Sequence, residues 1–455
     1  MLGLWMFAAA IVLLLIGYPV AFSLGGTAVL FTLIGSDFLD KYVGLALPWD
    51  PIFRVARLNI LPQRIFGTIM DNYTLVAVPF FVFMGVMLEK SGLAEELLET
   101  MGILFGRLRG GLAISVVLVG ALLAASTGVV GASVVTLGVL ALPVMLKYHY
   151  AKPFAAGVVA SSATLGQIIP PSIVLVILGD QIGVSVGDLF LGSFVPGFML
   201  AGLYLLWVVF VAWRRPEQAP ALPPQARKLH GWRLFVKVLK NLVPPLVLIV
   251  LVLGTIFFGI ATPTEAGAMG AAGAMILAAL NRRLTLANLR STMDSTVRLT
   301  SMVFIILVGA TAFSMVFTAL GGGHVVDNFL LNLPGGQVGF IFFTMLVIFL
   351  LGFFIDFIEI TFIVVPFLAP IALQWFGPDM MLWFGVLVAM NLQASFLTPP
   401  FGFALFYLKG VAPPGIKTTH IYRGIIPFVV IQVIAVLLVA LFPGIVSTLP
   451  ALAQR

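Results

Sequence analysis

The chain has 455 residues, of which 61% are hydrophobic and only 9% are charged, and its mean hydropathy is +1.17. Soluble globular proteins carry roughly 25% charged residues, so this composition excludes an ordinary soluble domain and indicates that lipid is the solvent. The formal net charge of +7 lies mainly in loops between apolar runs, which favours a membrane protein over a nucleic-acid partner. Because the chain has no cysteine, disulfides and thiol chemistry are excluded.

The first half begins with two apolar runs, residues 4–17 and 20–34, which are split at Tyr18-Pro19 and predict two helices or one broken helix. A mixed amphipathic stretch (36–68), a span (73–88) and a charged amphipathic helix (89–109) follow. Residues 110–146 then carry no charge, and 37 residues would make about 55 Å of helix, nearly twice a ~30 Å hydrocarbon core. The chain must therefore turn, and the hydroxyl- and glycine-rich run at 126–133 predicts the tip of a re-entrant helical hairpin.

A double proline interrupts an apolar segment in each half, at Pro170-Pro171 and at Pro399-Pro400. Proline has no N–H to donate and its ring clashes with the preceding turn, so each pair is expected to break a helix. A carbonyl freed at lipid depth costs several kcal/mol unless it is paired, so such breaks persist only beside protein or a cavity. Two of them predict a transport site near the bilayer midplane.

Residues 214–240 form the longest basic loop and are rich in proline, which predicts a cytoplasmic linker between halves 1–213 and 241–455. The second half repeats the order of the first, with two spans meeting at Pro263 and a turn at Asp356. The spacing from Pro143 to Pro170 is 27 residues and that from Pro370 to Pro399 is 29, which indicates internal inverted repeats. With the linker in the cytoplasm and the first half inverted relative to the second, residues 36–68 lie outside the cytoplasm. This segment is therefore a candidate contact for another subunit.

These features together resemble the large membrane subunit of the tripartite ATP-independent periplasmic (TRAP) transporters, the DctM-like subunit. The matching segments are GQIIPPSIVLVILGDQIGVSVGDLFLGSFVPG at 166–197, FFIDFIEITFIVVPFLAP at 353–370 and SFLTPPFGFALFYLKGVAP at 395–413. The resemblance covers essentially the whole chain. One departure is the first hairpin, where many members carry a Ser-Gly-Ser-Ser type run and this chain has STGVVGAS.

The resemblance implies an all-α integral membrane protein of a bacterial inner membrane, with about 10–12 transmembrane helices and two re-entrant hairpins in an inverted-repeat, elevator-type transporter. It implies import of a small organic acid, driven by Na⁺ as the coupling ion, with no cofactor and no enzyme activity. The implied partners are a periplasmic substrate-binding protein, a small four-helix membrane subunit and membrane lipid. None of these partners is nucleic acid.

Sodium is a hard cation that prefers oxygen ligands, which hairpin tips and helix breaks supply as hydroxyls and unpaired carbonyls. An alternative is that each hydroxyl bonds to a carbonyl one turn earlier, as Ser and Thr commonly do in membrane helices. The candidate sodium- or substrate-binding residues at these places are Ser126, Thr127, Gly128, Gly131, Ser133, Gln167, Pro170, Pro171, Ser172, Asn391, Gln393, Ser395, Thr398, Pro399 and Pro400.

Asp356 and Glu359 complete the candidate set, together with Thr361 on the same segment. The two acids are three residues apart and so share a face of a helix, within a 110-residue stretch (299–408) that has no Lys or Arg. An ionised acid at lipid depth costs about 2.5–3.5 kcal/mol, so a buried pair indicates function. Either a cation neutralises them, or they are protonated, or they lie at an interfacial turn.

Two other functions stay open at this point. One is a stand-alone sodium- or proton-coupled carboxylate symporter that needs no binding protein. The other is an integral-membrane enzyme that uses Asp356 and Glu359 as acid and base. The sequence has no P-loop and so predicts no ATP hydrolysis.

Overall fold

The chain folds into helices joined by short turns. The computed structural model describes residues 2–44, 51–127, 130–226, 231–400 and 402–453, and the side chains of 124–127 are outside this description. The described part has no β-strand beyond one isolated bridge between Ser36 and Phe53. The α-helices of the first half are α1 (Leu2–Ile16), α2 (Val20–Gly35), α3 (Leu61–Ile65), α4 (Ala77–Lys90), α5 (Leu93–Phe105), α6 (Gly111–Thr127), α7 (Val130–Lys147), α8 (Lys152–Thr164), α9 (Ile173–Ile182) and α10 (Val186–Arg214).

The second half runs through eleven further α-helices of the described chain. They are α11 (Gly231–Phe257), α12 (Pro263–Leu280), α13 (Leu286–Ala319), α14 (Gly322–Leu331), α15 (Gly336–Leu351), α16 (Phe357–Ile363), α17 (Val365–Phe376), α18 (Met381–Phe396), α19 (Phe403–Val411), α20 (Thr418–Leu441) and α21 (Gly444–Ala453).

Six helical segments of the described chain are long and apolar enough to cross a membrane, or up to eight if each of two bent pairs counts as one span. The bent pairs are α4 with α5, at 57°, and α16 with α17, at 60°. Six further apolar helices of the described chain have 10 to 17 residues, and none of them is long enough to cross the membrane by itself. The protein is thus an all-α, multi-pass membrane protein.

Helix packing is reciprocal between the halves. Helix α12 packs along α4, and α13 packs along α2. Helix α20 of the second half packs on α8 of the first, where Gly157 faces Gly424. A Cβ on Gly424 would meet the backbone of Pro153 and Gly157, so the two helix backbones touch at this crossing.

Three boundaries differ from those predicted. The sequence pattern predicts an interfacial segment over residues 185–193, whereas in the structure these residues lead into the first turns of α10, in which Leu189 and Phe190 are fully buried. Helix α11 begins at Gly231, so the second part of the predicted linker is helical. The charge pattern predicts a basic amphipathic connector over residues 281–298 and a separate span over 299–320, whereas residues 286–319, which contain no proline, form one helix, α13.

Candidate functional site

Both predicted helix breaks are present at the double prolines. Helix α8 ends at Thr164 and continues as a 3-10 turn (Leu165–Gln167), and α9 begins after the extended residue Ser172. In the second half α18 ends at Phe396 and α19 begins at Phe403. Each Pro-Pro peptide bond is cis. Helix α18 packs against the 3-10 turn of the first break, so the two interruptions lie side by side.

The hydroxyls at these breaks donate to nearby backbone carbonyls, which is the alternative considered from the sequence. The Ser172 hydroxyl donates to the Gln167 carbonyl across the first break, over 2.7 Å. Three others follow the same pattern: Thr361 to the Phe357 carbonyl (2.7 Å), Ser395 to Leu392 (2.8 Å) and Thr398 to Ala394 (2.8 Å). These bonds use the hydroxyl hydrogen and leave oxygen lone pairs that can still contact a cation.

Two buried glutamines are the polar groups at the breaks whose hydrogen-bonding capacity is unused. Gln167 and Gln393 are fully buried, and both amide atoms of each have no hydrogen-bond partner within the described structure. A buried amide without partners costs about 1–3 kcal/mol, so these side chains favour a ligand. Asn391 differs, because its amide nitrogen donates to the Met345 carbonyl over 2.8 Å.

Asp356 and Glu359 cap the N-terminus of α16. Asp356 is the N-cap: the Phe357 N–H donates to its Oδ1 over 2.6 Å, and the Asp356 N–H donates to Glu359 Oε2 over 3.1 Å. This reciprocal arrangement is a capping box, which supplies partners for N–H groups at a helix start. Both acids are half-buried, and the one ion pair of the described residues is Lys237–Glu99, so no Lys or Arg pairs with them there.

A small cavity of about 80 Å³ lies where the hairpins and the breaks meet. Its wall includes the first residues of α7, α9 and α16, the last residue of α18, and parts of α4, α13 and α19. The lining residues are Val82, Val130, Gly131, Ile173, Leu299, Met302, Val303, Asp356, Phe357, Ile358, Phe396 and Tyr407. Three helix N-termini therefore converge on this space, and their dipoles favour negative charge.

Gly131 and Tyr407 contact each other at this cavity. A Cβ on Gly131 would lie 3.1 Å from ring carbons of Tyr407, so the small residue lets the ring pack against the start of α7. The sequence reading missed Tyr407 because its only signal was its position on the short helix after the second break.

The remaining predicted site residues belong to the first hairpin and the proline pairs. Ser133 is buried on α7. The side chains of Ser126 and Thr127 and the residue Gly128 lie outside the described structure. At the second break the Tyr422 hydroxyl donates to the Pro400 carbonyl over 2.6 Å, so that carbonyl has a partner. No group of three or more His, Asp or Glu that could hold a metal ion occurs among the described residues.

Two proline-broken helices that meet at one cavity inside a multi-pass helical protein are typical of the class of secondary transporters. Comparison with known proteins defines the family within that class. The family model described as "Tripartite ATP-independent periplasmic transporter, DctM component" matches residues 7–445. The chain therefore belongs to the DctM family of TRAP transporter subunits, as its sequence motifs predicted. It is a transporter subunit rather than an enzyme, and a multi-pass protein of the bacterial inner membrane.

Similar proteins cover nearly the whole chain. The C4-dicarboxylate TRAP transporter large permease protein DctM of Vibrio cholerae is 30% identical, covering 98% of this chain and 97% of that protein. The sialic acid TRAP transporter large permease protein SiaM of the same organism is 30% identical, covering 97% and 96%. The crystal structure of the Alcanivorax borkumensis YdaH transporter has a similar fold, with a TM-score of 0.56, 12% identity, and coverage of 85% and 89%.

Proposed function

We propose that this chain is the transport subunit of a sodium-coupled TRAP system that imports a carboxylate-bearing organic solute. A periplasmic binding protein delivers the solute, and a small four-helix membrane subunit extends the static part of the complex. The relatives named for C4-dicarboxylate and for sialic acid support this solute class, because both solutes carry a carboxylate.

The convergence of both hairpins and both helix breaks on one cavity is the observation that carries the proposal. Na⁺ would be held there by oxygens of the acidic pair and of the hairpin and break residues. The Gln167 and Gln393 amides, buried at the breaks without partners in the described structure, do not line this cavity, and in this proposal their oxygens turn to the ion when it binds. A cation offsets the half-buried charges of Asp356 and Glu359, which would otherwise be costly at lipid depth.

Bound sodium would also make this cavity attractive for the carboxylate group of a solute, and the cavity, about 80 Å³ in this structure, would widen to admit it. The first residues of α7, α9 and α16 line it, so the positive ends of three helix dipoles and bound Na⁺ would together supply positive potential. The attraction between bound Na⁺ and the solute anion gives a reason for co-transport, because each of them makes the binding free energy of the other more favourable. Binding of Na⁺ first would therefore raise the affinity for the solute.

An elevator movement fits the arrangement around the cavity. Helices α4 and α13 form one wall and pack with α12 and α2, whereas the hairpins and broken helices form the other. The reciprocal pairs α12 with α4 and α13 with α2 support an inverted repeat whose halves are joined by the basic linker. In this proposal the hairpins and broken helices slide as a unit against α4 and α13.

Uptake into proteoliposomes tests this proposal. The chain is reconstituted with and without its small subunit and binding protein, and uptake of C4-dicarboxylate and of sialic acid is measured with a sodium gradient. We expect uptake only with all three components and only with sodium. Uptake by the chain alone would identify a stand-alone symporter, and uptake that is unchanged when choline replaces sodium would refute the coupling ion.

A further inference from the structure

A second cavity lies beside the first and has a different lining. Its volume is about 370 Å³, within the usual range of small-molecule sites, whereas the first cavity has about 80 Å³. It is formed by α3 and the turn after it, by α9, by α13 and by the pair α16 and α17. The lining residues are Arg64, Gly67, Thr68, Gln181, Leu307, Ala310, Thr311, Ser314, Phe362 and Pro366.

Polar groups from three separate elements face this second cavity. Arg64 is the one cationic side chain among the described residues that line it, and Gln181 contributes an amide. Thr311 and Ser314 are on α13, three residues apart, so their hydroxyls lie on the same face of that helix. A guanidinium with nearby hydroxyl and amide donors is a set that binds a carboxylate, because guanidinium geometry matches the two carboxylate oxygens.

The two cavities follow one another along the same two helices. On α13 the first cavity reaches Val303 and the second begins at Leu307, and on α16 the corresponding residues are Ile358 and Phe362. Four residues correspond to about 6 Å of helix, so about one turn separates the cavities on both walls. A solute in the larger cavity would thus lie directly next to the smaller one.

We propose that the cavity lined by Arg64 binds the carboxylate of the imported solute before the solute reaches the hairpin cavity. This inference rests on the proposed function and adds the first binding position and its charged residue. The smaller cavity is too small for an organic acid as it stands and suits an ion, whereas the larger one accommodates a small acid. Arg64 is exposed, so the larger cavity is open on that side.

One negative group lies near this cavity and is engaged elsewhere. The Asp180 carboxylate accepts a hydrogen bond from the Asn72 amide over 2.5 Å and another from the Gln181 amide over 2.8 Å. These donors offset part of its charge, and Asp180 itself does not line the cavity. Since the Gln181 amide nitrogen donates to Asp180, Arg64 remains the main source of anion attraction in the cavity.

The absence of native cysteine allows a test that does not depend on knowing the solute. The purified Ser314→Cys variant is treated with two methanethiosulfonate reagents, one anionic (sulfonate) and one cationic (trimethylammonium), and the reaction rate of each is measured. The same rates are measured when the variant also carries Arg64→Gln. Thr318→Cys, exposed one turn further on α13, is the matched site outside the cavity, and Arg57→Gln is the matched loss of an exposed arginine.

We expect the ratio of anionic to cationic reaction rates at Ser314→Cys to fall roughly 30-fold when Arg64 is replaced, because a unit charge ~8 Å away at an effective dielectric constant of ~40 changes each rate about 6-fold and in opposite directions. The ratio at Thr318→Cys should fall clearly less, and replacing Arg57 instead of Arg64 should change the ratio at Ser314→Cys clearly less than replacing Arg64 does. An equal ratio with and without Arg64 would overturn the proposal.

Transport gives the second readout. Arg64→Gln should raise the KM for the solute roughly 10- to 100-fold, as for loss of a charged hydrogen bond, and leave the sodium concentration for half-maximal uptake unchanged. Unchanged KM would refute the solute site while leaving sodium-coupled import intact. Absence of sodium-dependent uptake by the unmodified complex would instead refute the proposed function, and the cysteine rates would still decide whether the cavity attracts anions.

Discussion

Replacing both acids of the capping box by their amides separates a structural role from an ionic one. In the double variant Asp356→Asn/Glu359→Gln, asparagine at position 356 is still a good N-cap residue. The glutamine at position 359 can still accept the hydrogen bond from the backbone N–H of residue 356, which is 3.1 Å long with Glu359 in place. The free energy of unfolding should therefore change by less than about 0.5 kcal/mol. Asp356→Ala removes the cap and should cost about 1 kcal/mol.

The same double amide variant removes two negative charges from the proposed sodium site. A charged hydrogen bond or ion contact of this kind contributes about 1.5–3 kcal/mol, so the sodium concentration for half-maximal uptake should rise roughly 10- to 100-fold. Uptake is measured in proteoliposomes over a range of sodium concentrations, and thermal unfolding of the same preparations reports stability. Unchanged sodium dependence at unchanged stability would refute the ionic role and leave only the capping role.

Three further predictions concern buried contacts. Gln167→Leu and Gln393→Leu should each raise the melting temperature in sodium-free buffer, because an unpartnered buried amide costs about 1–3 kcal/mol. Each variant should also lose the stabilisation that added sodium gives. A lower melting temperature in sodium-free buffer would contradict this prediction. Gly131→Val should reduce uptake by overpacking the Tyr407 ring, and Tyr407→Ala in the same chain should restore part of it; no rescue would contradict the contact. Gly424→Val should destabilise the protein by about 3 kcal/mol through overpacking at the α8–α20 crossing, and so lower its melting temperature and yield. A melting temperature equal to that of the unmodified protein would contradict this packing.

The positions of the helix breaks could be predicted from the sequence because their cause is local. A double proline disfavours continuation of a helix, and both predicted breaks occur at Pro170-Pro171 and Pro399-Pro400, whereas helix α11 continues through a third pair, Pro244-Pro245. The start of α16 also has a local cause, since Asp356 and Glu359 have the spacing of a capping box. The full length of α13 does not follow from the charge pattern, because the charged residues at 290–298 mark where the chain leaves the lipid and do not end the helix.

The cavity walls could not be predicted from local pattern. Arg64, Ser314 and Phe362 line one cavity although some 250 and 50 residues separate them along the chain. Tyr407 joins the other cavity through its contact with Gly131, which depends on how α19 packs against α7. Such contacts arise from tertiary packing, which side-chain periodicity does not encode.

A cryo-EM map of the complete complex in sodium, compared with one in choline, tests the central claim most directly. The account predicts sodium-dependent density among oxygens of the hairpin ends and the two proline breaks, in contact with Asp356 or with the amides of Gln167 and Gln393. Identical maps in the two salts at those residues, with both amides paired to protein groups, would contradict the account.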